Sequence, residues 1–211
     1  MTSAVVVAAH PDDEVLGAGG LISVLAASRA RLRLVAVTDG ERSHRGHASP
    51  AVLARRRTAE TADALRALGA QDTEVIRLGF PDTGVAAHED ALAARLRDLA
   101  AGCDAVLAPW DQDVHADHEA VGRAARRAGP LTHWYPVWTW HWAAPGDSRV
   151  PWHQGLRVSL RPSIVARKRA AISCFASQLE PRGSGAGPVL TPETVAHFVR
   201  DYEVLLRTEH G

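Results

Sequence analysis

The sequence predicts an α/β protein with a Rossmann-like, mostly parallel sheet and helices on both faces. Over the first two thirds of the chain, short apolar runs alternate with longer helical patterns, as a parallel sheet requires. Four such strand–helix units follow one another, which favours right-handed crossovers. The length of 211 residues suits one buried core and is short for two domains. We therefore predict a single domain over residues 1–211.

The elements of these units follow in chain order. Strands are predicted at residues 5–7, 32–37, 73–78 and 105–108, and the helices after them at 19–29, 55–68, 90–101 and 117–128. Gly69 stands just past the second helix, where glycine is a preferred stop. The first and fourth strands of such sheets are commonly neighbours, so the loops that follow them face each other.

The pattern changes after residue 130, where further strands and helices are added. Residues 133–142 predict a strand that carries Trp138, Trp140 and Trp142 on one face. A short strand at 156–160 and helices at 163–175 and 193–206 follow, the helices separated by a flexible loop at 181–188. Burial in a core or subunit interface is favoured over sugar stacking for the three tryptophans, and a homo-oligomer is allowed for.

Composition excludes several classes of function. Lys+Arg and Asp+Glu both total 24, and this zero net charge disfavours nucleic-acid binding. The apolar stretch at residues 4–9 is far shorter than a membrane span and has no basic segment before it, so a cytoplasmic protein is expected. Cys103 and Cys174 form no CxxC pattern, so a metal would need histidine and carboxylate ligands.

Two segments crowd histidine and carboxylate together at predicted strand ends. His10 to Glu14 follow the first strand, and Asp111 to His118 follow the fourth. Carboxylates packed this closely repel one another unless a cation lies among them. Imidazole and carboxylate suit one Zn²⁺ ion, or Fe²⁺. The alternatives are that the first segment only caps its helix and that the second carries solvated histidines.

A nucleotide-binding interpretation is weak. Gly17, Gly19 and Gly20 are followed about twenty residues later by Asp39, but the seven residues from His10 to Leu16 stand before Gly17. A dinucleotide fingerprint needs its glycines directly after the strand. These glycines are instead expected to allow close helix packing.

The motifs resemble those of the PIG-L/LmbE-like zinc-dependent de-N-acetylases, a family that includes glycosylphosphatidylinositol-precursor and mycothiol-pathway enzymes. The resemblance rests on Ala-His-Pro-Asp-Asp-Glu at 9–14, Thr-Asp-Gly-Glu at 38–41 and His-x-Asp-His at 115–118. It extends to Arg57-x-x-Glu60, Pro81-Asp82, Lys168 and Ser177-Gln178. The family often has proline where this chain has Ala116, a departure that leaves the metal motif intact.

The resemblance implies a role for each of eight residues, and two more are expected near them. Three residues would bind zinc: His10, Asp13 and His118. The catalytic residues would be Asp12 as general base, His115 as the group that stabilises the oxyanion, and Asp117, which would orient or tune His115. Arg57 and Asp82 would contact a sugar-like substrate. Glu14 and Asp113 are expected around the metal, orienting its ligands or the backbone.

The predicted function is removal of an N-acetyl group from an amino sugar or sugar-containing small molecule by zinc-activated water. One alternative keeps the zinc but hydrolyses a different small amide, such as a thiol-sugar conjugate. Another is a non-catalytic binding or scaffold protein that uses the tryptophan-rich strand. Residues 43–50 are a candidate lid over the substrate.

Overall fold

A computed structural model describes residues 1–43, 49–129, 131–144, 146–182 and 185–207. Its strands are β1 (Ser3–Ala8), β2 (Arg31–Ala36), β3 (Glu74–Arg77), β4 (Ala105–Pro109), β5 (Leu131–Tyr135), β6 (Gly155–Ser159) and β7 (Tyr202–Arg207). They form one sheet in the order β3-β2-β1-β4-β5-β7-β6. The first five strands are parallel, and β7 runs antiparallel to both β5 and β6.

Helices cover both faces of this sheet. They are α1 (Asp13–Ala27), α2 (Pro50–Leu68), α3 (Glu89–Ala100), α4 (Ala116–Arg126), α5 (Thr139–Trp142), α6 (Pro162–Ser173), α7 (Ala176–Leu179) and α8 (Pro192–Ala196). One core contains Val6 of β1 with side chains of α1, α2 and α6, and the other contains Val7 with those of α3 and α4. Adjacent residues of one strand thus pack into opposite layers. The predicted fold class is confirmed.

The first four strand–helix units lie where the sequence predicts them, although α1 and α2 begin earlier. α1 starts at Asp13 rather than at residue 19. Its first turns bury Val15 and Leu16 in the core, which favours the earlier start. Gly17 permits this: a Cβ there would lie 2.0 Å from the ring of Tyr135. α2 starts at Pro50, a residue suited to the first turn of a helix.

The prediction of a strand over residues 133–142 is wrong beyond Tyr135. Pro136 has no amide to donate to a ladder, and the chain turns instead into the short helix α5. The three tryptophans therefore do not share a face. Trp138 lies on a cavity, whereas Trp140 and Trp142 pack against opposite cores.

The helix predicted over residues 193–206 is also wrong beyond Ala196. α8 ends at Ala196, and β7 follows it as a strand between β5 and β6. The β6 and α6 predictions are confirmed to within a few residues. None of the helices in the described part of the chain is long and apolar enough to span a membrane.

A buried ion pair connects β7 to a kink in α1. At Ala18 the backbone leaves helical geometry, with φ −138° and ψ 15°. Lys168 donates to the carbonyl of Leu16 at 2.8 Å and to Glu203 at 2.6 Å. Glu203 in turn accepts the amides of Gly20 and Leu21, at 2.7 and 2.9 Å. The pair thus satisfies backbone groups on both sides of the kink.

Candidate metal centre

The candidate centre lies where β1 and β4 end, at the carboxyl edge of the sheet. The two strands are hydrogen-bonded neighbours, so the loops after them face each other. The first loop carries His10 and runs into α1, and the second carries His115 and runs into α4. Residues distant in the sequence thereby meet at one point, as is typical of open α/β sheets.

Three side chains converge with the spacing of metal ligands. His10 Nδ1 lies 3.3 Å from His118 Nε2. Asp13 places Oδ2 3.3 Å from His10 Nδ1 and Oδ1 3.3 Å from His118 Nε2. Tetrahedral ligands about 2.0–2.2 Å from a zinc ion would be separated by about 3.3–3.6 Å. The donor set therefore fits a zinc-sized cation.

Carboxylates behind the two histidines orient them toward this point. His118 Nδ1 lies 2.8 Å from Asp113, which leaves Nε2 free to bind a cation. His10 Nε2 lies 3.2 Å from Asp117 and 3.5 Å from Asp82, so its Nδ1 is the free nitrogen. His10 also forms metal-compatible groups with His115 and His118 and with Asp82 and Asp117. We favour the group with Asp13, because its carboxylate faces ring nitrogens of both His10 and His118, whereas the carboxylates of Asp82 and Asp117 contact His10.

The buried charges at this point favour a positive charge. Burial lowers the pKa of His118, but the carboxylates of Asp13 and Asp113 outweigh it and raise that pKa to about 9. The histidine charges hold the pKa of Asp13 well below its usual value, despite a burial effect in the opposite direction. Either a proton on the histidines or a bound metal cation would supply this positive charge.

Asp12 is held beside the metal ligands in an unusual backbone conformation. Its φ is 124°, a region that residues other than glycine rarely adopt. Its amide donates to Glu14 at 3.2 Å, and its carboxylate lies 3.3 Å from Arg57. Burial raises the pKa of Asp12 to about 7, although Arg57 acts in the opposite direction. This pKa suits a group that accepts a proton near neutral pH.

Glu14 is fully buried next to Asp12. Burial raises its pKa to about 8, and its Oε1 has no hydrogen-bond partner among the described residues. Its contact is with the backbone of Asp12, so it orients the loop and does not reach the metal ligands directly.

Asp117 is expected to orient or tune His115, and it contacts that ring through its backbone amide, which donates to Nδ1 at 3.3 Å. Nε2 of a neutral His115 therefore carries the proton. The carboxylate of Asp117 contacts His10 instead and accepts the amides of Thr83 and Val85, at 2.7 and 3.1 Å. Burial together with the charges of His118 and His10 lowers the pKa of His115 to about 4.

The two expected substrate contacts lie on the cavity but are also engaged within the protein. Arg57 is buried and donates to the carbonyls of Gly40, at 3.0 Å, and Pro11. Asp82 accepts the amide of Arg42 at 2.7 Å. Both therefore help to position the loops around the metal ligands, and their contact with substrate stays a prediction.

Two of the candidate metal ligands, His10 and Asp13, line a cavity of about 210 Å³. The cavity is also lined by residues that no motif marks, including Trp138, His141, Leu190, Thr194 and Phe198. These residues reach the cavity through the turn after β5 and through the segments around α8. Ser43 lines the cavity, but residues 44–48 of the candidate lid, with His44 and His47, lie outside the described residues.

Two weaker motifs of the resemblance meet at the edge of this cavity. Glu60 accepts the amide and the hydroxyl of Ser177, at 2.7 and 2.6 Å. Gln178, which lines the cavity, is next in the chain. This contact attaches α7 to α2 and so sets the position of Gln178.

Comparison with known proteins gives the same family as these motifs. The family described as PIG-L, GlcNAc-PI de-N-acetylase, matches residues 5–129. A curated relative, the 1D-myo-inositol 2-acetamido-2-deoxy-alpha-D-glucopyranoside deacetylase of Kineococcus radiotolerans, is 35% identical over 100 residues, which cover 43% of this chain. The match spans only 28% of that relative's length.

Solved structures extend the likeness of fold to the remainder of the chain. The zinc-inhibited form of teicoplanin deacetylase Orf2 superposes with a TM-score of 0.73 and 17% identity, covering 100% of both chains. The 4-carboxy-2-hydroxymuconate hydratase GalB from Pseudomonas putida KT2440 superposes with a TM-score of 0.68 and 24% identity, covering 84% of this chain and 80% of its own. These two likenesses show the fold alone. The sequence match over residues 5–129 establishes that the chain belongs to the PIG-L family of de-N-acetylases.

Proposed function

We propose that this protein is a zinc-dependent hydrolase that removes an N-acetyl group from an amino sugar or a sugar-containing small molecule. The observation that carries the proposal is the convergence of His10 Nδ1, His118 Nε2 and the Asp13 carboxylate, whose two oxygens each lie 3.3 Å from one of these nitrogens, with Asp12 beside them. The named activity of the Kineococcus relative, deacetylation of an acetamido sugar, supports the substrate class.

The residues divide the work of amide hydrolysis among them. His10, Asp13 and His118 would hold the cation, which when bound lowers the pKa of water and polarises the acyl carbonyl. Asp12 accepts the proton from the attacking water, and Arg57 keeps its carboxylate in place. His115 donates from Nε2 to the oxygen on which negative charge develops. Asp12 then gives that proton to the amine nitrogen as the C–N bond breaks, which releases acetate and a free amine.

We infer that residues 1–211 act as one deacetylase domain, because β6 and β7 extend the sheet that carries the metal ligands. We also propose that Arg57 and Asp82 contribute to the substrate end of the cavity that they line. Fe²⁺ remains an alternative to Zn²⁺, since both accept this donor set. The cytoplasmic location, the lack of nucleic-acid partners and a homo-oligomer stay predictions from the sequence.

Metal content and acetate release from N-acetyl-D-glucosamine test the proposal together. We expect about one equivalent of zinc or iron in the purified protein. Asp12→Asn is expected to lower kcat by about 10²–10⁴-fold while metal content stays unchanged, because only the base is lost. Asparagine also tolerates a positive φ, so this variant controls for backbone disruption. Full activity of Asp12→Asn, or activity without stoichiometric metal, would overturn the mechanism.

The alternatives predict other outcomes of the same assays. Hydrolysis of a thiol-sugar amide conjugate in preference to N-acetyl-D-glucosamine would identify the amidase. Metal binding and sugar binding without turnover of any amide would identify a binding protein. The hydratase relative shows that the fold also occurs in a protein named for another reaction, so turnover has to be measured directly.

A further inference from the structure

We propose that Trp138 is the platform on which the sugar ring of the substrate stacks, and so is a residue that determines specificity. This inference rests on the proposed function, because it concerns the part of the substrate next to the reacting amide. It gives Trp138 a role that the core or interface interpretation of the tryptophan segment did not include.

Exposure distinguishes Trp138 from the other five tryptophans, all of which lie in the described part of the chain. Its exposed fraction is 38%, whereas Trp110 and Trp134 are 1% and 5% exposed and the remaining three are intermediate. Exposure of so large an apolar side chain on a cavity wall marks a surface available to a ligand. Trp138 is thus the tryptophan that a substrate can contact.

The position of its ring relative to the reaction centre fits a sugar. The Trp138 ring lies 6.0 Å from the His115 ring, with an angle of 23° between the two planes. Its centroid is also 4.9 Å from that of His141, on the same side of the cavity. An amide carbonyl held beside His115 would carry its sugar ring over the neighbouring indole. The apolar C–H face of a pyranose can lie against that aromatic surface, while its hydroxyl groups remain free for polar partners.

The backbone of Trp138 is fixed by the same carboxylate that orients a metal ligand. Asp113 accepts the amides of Trp138 and Thr139, at 2.9 and 2.8 Å, and also contacts His118 at 2.8 Å. The backbone that carries the indole is therefore tied to His118, one of the candidate metal ligands. Such pre-organisation lets stacking contribute to binding with little ordering cost.

Paired substrates separate the contribution of stacking from that of chemistry. We expect Trp138→Ala to lower kcat/KM for N-acetyl-D-glucosamine at least tenfold more than for the acyclic amide N-acetylethanolamine. Trp138→Phe should restore most of the preference, because phenylalanine retains an aromatic face. Trp142→Phe is the matched control, since Trp142 packs in a core away from the cavity. Equal losses on both substrates in Trp138→Ala would overturn the inference without affecting the proposed hydrolysis.

A binding measurement gives a readout that does not require turnover. Calorimetric titration of N-acetyl-D-glucosamine into metal-loaded Asp12→Asn should give a Kd that rises about tenfold when Trp138→Ala is added. An unchanged Kd would also contradict the platform. If the protein hydrolyses no amide but Trp138→Ala still weakens sugar binding, the proposed function is rejected and the stacking site is retained.

Discussion

The cavity has two walls that are held together by different forces. On the sheet side, His10 and Asp13 are fixed by ion pairs and hydrogen bonds with each other and with the buried His118. On the other side, Leu190 and Phe198 are fixed by apolar packing. The polar wall positions the reacting groups through directional contacts, whereas the apolar wall sets a shape. We infer that the first determines the reaction and the second the substrate.

Metal removal should distinguish the contributions of the two walls by the largest effect. We expect chelation to abolish acetate release, with a loss of at least about 10³-fold, and zinc to restore it. Affinity for glucosamine should fall less than tenfold, because the apolar wall does not depend on the cation. Calorimetry on chelated protein measures this affinity, and complete loss of sugar binding would show that the walls are not independent.

Phe198→Ala breaks the apolar wall alone. Phe198 is 3% exposed, so truncation should destabilise the protein by about 3–5 kcal/mol. Urea unfolding measures that loss, and zinc affinity should remain within about twofold of the parent because no ligand contact changes. Phe198→Leu, which keeps most of the volume, is the control. A large loss of zinc affinity in a Phe198 variant that is still folded would contradict the independence of the polar and apolar walls.

Asp113→Asn tests the residue that joins the walls. Its carboxylate contacts His118 and also holds the turn that carries Trp138. We expect zinc affinity to fall about 10–100-fold, as is typical when a partner of a metal-bound histidine is changed. The preference for N-acetyl-D-glucosamine over N-acetylethanolamine should fall as well. Asp111→Asn is the matched control, since Asp111 pairs with Arg126 instead. Equal zinc affinities in the two variants would exclude this role for Asp113.

The polar wall is also the part that the sequence predicts well. The two His/Asp segments follow directly from strand ends, and the β1–β4 pairing that brings them together is a regular feature of such sheets. The order of strands and helices along the chain is therefore sufficient to predict that the two segments lie close together. The carboxylate of Asp117 shows the limit of this reasoning: a motif places it beside His115, but only the fold shows that it contacts His10.

The apolar wall could not be predicted in the same way, because its elements depend on distant partners. Residues 202–207 have a composition that allows a helix, but pairing with β5 and β6 makes them a strand. The turn at Trp138 is likewise stabilised by Asp113, which lies 25 positions away. The residue pattern within one segment predicts neither the strand pairing of β7 nor the contact with Asp113.

The backbone of Asp12 has a consequence for how this protein can change. With φ at 124°, its position favours glycine, which adopts positive φ at little cost. Asp12→Gly is therefore expected to raise the melting temperature relative to Asp12→Asn, while both lack the base. Differential scanning calorimetry of the two variants checks this, and equal temperatures would mean that the conformation costs nothing. Activity and stability thus compete at a single residue, and selection for a more durable fold alone would remove the base on which hydrolysis depends.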